Sequence, residues 1–111
     1  MTIDEIYEVI ANGVVACLST EVWDKAVLYV QGDNTYVETT GIYECKGKTF
    51  NLNTHNIDTE VSFALMELHE ITTAENSNQW NRATFTIFHD GNFNMEFQWD
   101  QELADEINSL S

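Results

Sequence analysis

The chain has 111 residues, 43% of them hydrophobic, which is enough for one domain with one core and too few for two. Four Lys and Arg stand against nineteen Asp and Glu, a formal net charge of -15, far beyond the magnitude of about 2 to 8 that serves a small domain. A field of that size repels nucleic acid and anionic membrane and speeds encounter with a basic partner, so neither direct nucleic-acid binding nor membrane association is expected.

Three Trp, four Tyr and six Phe, set in periodic segments, argue that the chain folds despite its acidity. Thr2 followed by Glu5 has the form of a capping box, and Ile3, Ile6, Tyr7, Ile10, Val14, Cys17 and Leu18 recur at helical spacing. The spacing predicts an amphipathic helix over 2–19, with Asp4, Glu5, Glu8 and Asn12 on its other face. "WDKAVLYVQGDN" then changes to strand chemistry and closes on a Gly-Asp-Asn turn, predicting a strand at 23–31. "TYVETTGIYEC" and "KTFNLN" read as strands at about 35–45 and 48–53, joined at Lys46 and Gly47. A two-residue loop here places Tyr43 opposite Phe50, while a three-residue loop ending at Gly47 places Ile42 there. Turn chemistry favours the second, which also pairs Glu44 with Lys48.

Asp58 is a plausible N-cap for a second helix over about 58–75, whose Val61, Ala64, Leu65, Leu68, Ile71 and Thr72 share a face. Phe63 and Met66 fall outside that stripe and are expected to pack under a loop. "ENSNQ" is a polar loop, "RATFTIFHDGNFNMEFQW" makes two strands, and "DQELADEINSL" makes a short acidic helix with Leu103, Ile107 and Leu110 on one side. In the last hairpin, a loop of His89, Asp90 and Gly91 pairs Ile87 with Phe93, Phe85 with Met95 and Ala83 with Phe97, gathering one apolar face. It also puts Gly91 at the left-handed position of a type I turn with a G1 bulge. No repeat or linker divides the chain. The expected architecture is α+β: a mostly antiparallel five-stranded sheet in the order α-βββ-α-ββ-α, with helices packed on one face.

Little in this pattern points to catalysis. His89 and Asp90 fall in a surface turn, where Asp serves the backbone, and no pocket wall is implied there. His55 lies in a loop, and His69, flanked by Glu67 and Glu70, reads as part of a solvated helix face without metal-ligand spacing. Cys17 and Cys45 read as reduced, buried thiols. No Gly-rich loop opens a helix to hold phosphate. The chain is therefore expected not to be an enzyme and to need no metal or cofactor. No basic segment leads into an apolar one, and no apolar run approaches the ~18 residues of a membrane span, so a soluble, cytoplasmic protein is expected. What remains is an acidic surface, recurring at Glu38, Glu44, Glu60, Glu67, Glu70, Glu75 and Glu96. Excess charge opposes folding through self-repulsion, and docking on a basic surface would offset it.

The stretch "QWNRATFTIFHDGNFNMEFQWDQEL", residues 79–103, resembles the YezG-type immunity proteins at Trp80, Thr84, Phe85, Thr86, Gly91, Phe93, Trp99 and Asp100. Helix one followed by "VWDKAVLYV" is similar to that family's opening, so the likeness spans most of the chain. Gln79 and Trp99 stand where the family usually has Pro and Tyr. The resemblance implies a single immunity domain over 1–111, an antitoxin that binds a cognate toxin, often a basic nuclease, and blocks its active site or substrate groove without catalysis. The matched residues are hairpin and core positions, so the likeness assigns no contact residues. The acidity directs attention to Glu38, Glu44, Glu67, Glu70 and Glu96 as the toxin-binding candidates, with an aromatic or two as anchors. The alternatives from other classes are an acidic adaptor or nucleic-acid-mimic inhibitor of a host protein, and a small hydrolase using His55, His69 or His89.

Overall fold

In the computed structural model, which describes residues 1–75 and 79–109, Thr2 opens the first helix with the expected capping box. Its Oγ1 accepts from the Glu5 amide at 3.2 Å, and its own amide donates to Glu5 Oε1 at 3.0 Å. The helix, α1 (Ile3–Ala16), stops three residues short of the expected end because the Cys17 and Leu18 amides turn back to the Val14 and Val15 carbonyls. Five strands follow the expected order: β1 (Lys25–Gly32), β2 (Val37–Cys45) and β3 (Lys48–Asn51), then β4 (Arg82–Phe88) and β5 (Phe93–Gln98). Between them lie a 3-10 turn (Thr54–Asn56) and α2 (Thr59–Thr73), capped by the Asp58 carboxylate on the Glu60 amide at 2.9 Å. The chain closes with α3 (Gln101–Ser109). The middle of the polar loop after α2, and Leu110, lie outside the described residues.

The strands form one antiparallel sheet in the order β3-β2-β1-β4-β5, with helices packed against it, an α+β fold. Alternation decides which side is covered. Ala26, Leu28 and Val30 of β1 and Ala83, Phe85 and Ile87 of β4 point to one face. There they meet Ile6, Ile10 and Val14 of α1 and Val61, Ala64, Leu65 and Leu68 of α2. Each large aliphatic side chain shut away in this layer contributes about 1.5 to 3 kcal/mol. Gly13 lets the two helices approach, because a Cβ there would run into the Val61 side chain. Trp80, 1% exposed, closes the layer with its indole N–H donating to Thr72 Oγ1 at 2.8 Å.

The β4–β5 hairpin has the expected register, Ile87 to Phe93, Phe85 to Met95 and Ala83 to Phe97. The Gly91 amide donates to the Phe88 carbonyl at 2.9 Å with Gly91 at φ +94°. The β2–β3 hairpin departs from expectation: its loop has two residues, and Tyr43 pairs with Phe50, their rings stacked at 5.3 Å. Lys46 and Gly47 both adopt positive φ, 52° and 78°, as a type I′ turn requires. The Asp24 carboxylate holds the Lys46 amide at 2.8 Å. Glu44 finds its cation in Lys25, at 3.1 Å, and not in Lys48. On α2, Phe63 is not covered by a loop but 61% exposed, and Ile71 also leaves the buried stripe at 41% exposed. Cys17 and Cys45 are free thiols, but half-buried and not fully enclosed.

Candidate functional site

Because α1 and α2 occupy one face of the sheet, the alternate residues of every strand compose the other. Pairing arranges them in rows across the strands. At one end Glu44, Lys25 and Phe88 lie side by side. Next come Ile42, Val27, Thr86 and Asn94, and then Thr40, Tyr29, Thr84 and Glu96. The last row is Glu38, Gln31, Arg82 and Gln98. Tyr29 and Phe88 are 44% and 42% exposed on this face, with threonines around Tyr29. Threonine-rich and aromatic, with carboxylates at its margins, such a face can dock protein by area.

The last row is held by a chain of hydrogen bonds. Arg82 Nε donates to Asp100 Oδ2 at 2.7 Å, and its Nη1 donates to Gln31 Oε1 at 3.0 Å. Gln31 Nε2 in turn donates to Glu38 Oε2 at 2.7 Å. The Arg82 guanidinium, followed by the Leu103 amide, holds the Asp100 carboxyl below the ordinary carboxylate range. Asn81, almost fully buried, fastens α3 to the same end: its Nδ2 donates to the Asp100 carbonyl at 2.8 Å, and its Oδ1 accepts the Asp100 amide at 2.7 Å. α3 is therefore anchored at a corner of the open face.

The five glutamates singled out from sequence do not form one patch. Glu38, Glu44 and Glu96 share the open face, but Glu44 is neutralised by Lys25. Glu67 and Glu70 ride on α2, in the layer on the other side of the sheet, and Glu67 Oε1 accepts from the Met1 amino group at 2.9 Å. The sequence reading missed Tyr29 and Phe88 as exposed aromatics. Their alternation with Leu28 and Ile87 was the available signal.

The histidines stand apart from one another. His89 is exposed in its turn, and Asp90 serves the backbone, accepting from the Asn92 amide at 2.9 Å and from Asn92 Nδ2 at 3.0 Å. A hollow does lie beside His89, contrary to expectation: a space of about 460 Å³ borders Val15, Leu18 and Trp23, and the His89 ring meets Trp23 edge-on at 5.0 Å. His69 is half-buried and does not belong to a fully solvated helix face. Its Nε2 contacts the Trp80 carbonyl at 2.9 Å, its ring lies 4.7 Å from Trp80, and its Nδ1 is shut from solvent without a hydrogen-bond partner. His55 is exposed on the 3-10 turn. Among the described residues no group of three or more His, Cys, Asp or Glu is placed to hold a metal ion, and no helix is long and apolar enough to cross a membrane. The chain matches no family model and no curated protein.

Proposed function

We propose that this protein is a cytoplasmic immunity protein, an antitoxin that neutralises a basic toxin domain of the nuclease class by covering its active site or substrate groove. The observation that carries this reading is the open sheet face, which bears Tyr29 and Phe88 half-exposed and Glu38 and Glu96 among its residues, on a molecule of net charge -15. The charge steers a cationic partner, and the aromatics anchor it once docked. The likeness of residues 79–103 to YezG-type immunity proteins supports the same reading. Binding alone accounts for the activity, so no catalytic group is assigned.

Co-expression with a basic nuclease toxin domain from the same genome tests the proposal. Growth is expected to be rescued, and the purified pair is expected to form a complex measurable by calorimetry at low salt. Tyr29→Ala combined with Phe88→Ala is expected to weaken that complex by about 2 kcal/mol or more, in the range of interface hot spots, without unfolding the protein. Absence of both rescue and complex would overturn the reading.

A further inference from the structure

α3 does more than close the sheet, because it walls a cleft at the corner of the open face. The space, about 450 Å³, lies between Tyr36, Glu38 and Arg82 on the sheet side and Leu103, Glu106 and Ile107 on α3. Tyr36 and Ile107 also border a neighbouring hollow of about 250 Å³ that contains Asp33 and Trp99. The two spaces thus share a wall of one aromatic and one aliphatic side chain.

The charges in this cleft are unequal. Arg82 is already matched by Asp100 at 2.7 Å, whereas neither Glu38 nor Glu106 meets a cation among the described residues. Burial, and then the negative field of Asp33 and Glu38, hold the Tyr36 phenol above its ordinary range. Burial pushes the Asp33 carboxyl up, yet hydrogen bonds from Thr35 and Tyr36 outweigh it and keep that carboxyl charged well into acid. The cleft therefore offers an apolar floor at Leu103 and Ile107, an aromatic wall at Tyr36, and carboxylates at Glu38 and Glu106.

We propose that this cleft seats an arginine side chain presented by the partner. The methylene stem would lie on Leu103 and Ile107, and the guanidinium would reach Glu38 and Glu106 beside the Tyr36 ring. Arginine fits better than lysine, because a planar, weakly hydrated fork can engage a carboxylate bidentately and stack on an aromatic face. That the arginine belongs to a toxin rests on the function proposed above, while the cleft's preference for the side chain does not.

The test uses the whole protein, isotope-labelled, and three blocked tripeptides, Gly-Arg-Gly, Gly-Lys-Gly and Gly-citrulline-Gly, titrated by NMR at physiological salt. The arginine peptide is expected to shift Tyr36, Glu38 and Ile107 saturably, with a Kd on the order of a millimolar. The lysine peptide is expected to bind about tenfold more weakly and citrulline not measurably. Glu38→Gln with Glu106→Gln, both exposed positions, should weaken arginine binding about tenfold, and Glu8→Gln with Glu60→Gln on the helical layer should leave it unchanged. Equal binding of arginine and lysine, or shifts spread evenly over the acidic surface, would overturn the assignment. Arginine binding in the cleft without protection of cells overturns only the immunity reading, and protection by a protein whose cleft stays unperturbed overturns only the cleft.

Discussion

Gly13 and Asp100 are the residues whose identity the structure explains most directly. In an isolated helix, Gly13→Ala would be favourable by about 1 kcal/mol. Here the added methyl meets Val61, a β-branched side chain 1% exposed and held on a packed helix. Overpacking of that kind costs about 1 to 3 kcal/mol, so Gly13→Ala is expected to lower the urea midpoint with an unchanged slope. Asp100 yields a prediction in pH. Its carboxyl is depressed in the folded protein, so its stabilising contribution is complete above the unfolded value of about 3.9 and is lost as pH falls through the lower, folded value. The stability gap between the native protein and Asp100→Asn should accordingly be constant near neutrality and narrow only in acid, as followed by thermal melts across pH.

The two hairpins show which elements can be read from sequence. β4 buries Ala83, Phe85 and Ile87, so a one-residue slip would turn those side chains to the open face; burial and Gly91 agree on one register. β3 has all four of its residues exposed, so no buried face constrains it. Its register is decided instead by the positive φ of both Lys46 and Gly47, the Asp24 bond to Lys46, and Lys25 taking Glu44. Those last two partners lie some twenty residues away and carry no local signal. α3 likewise depends on distant groups, chiefly Asn81. Asn81→Ala removes both side-chain bonds to Asp100 and leaves its half-buried amide without that partner, while the Asp100 carbonyl keeps the Ala104 amide at 3.2 Å, so a loss of about 1 kcal/mol is expected. Hydrogen exchange is expected to rise in α3 more than in α1 or α2.

For the whole molecule, the proposed function turns on charge. If the acidic field steers a basic partner, its association rate should fall about tenfold or more as salt rises, since screening shortens the Debye length to about 3 Å at 1 M. Dissociation should change far less, because the anchoring contacts are short-ranged. Stopped-flow mixing with the toxin separates the two, and a flat association rate would count against steering.

Sequence alone determined the α+β class, the order of elements, the capping of α1 and α2 and the β4–β5 register, because periodicity, caps and a buried face act over a few residues. It also determined the net charge of -15, which no fold can alter. Tertiary structure decided where that charge lies: Glu38, Glu44 and Glu96 came to the open face and Glu67 and Glu70 to the opposite layer, through strand pairing and helix placement. It also decided that Glu106 would face Glu38 across a cleft, because Asn81 and Arg82 fasten a helix from the far end of the chain to the corner of the sheet.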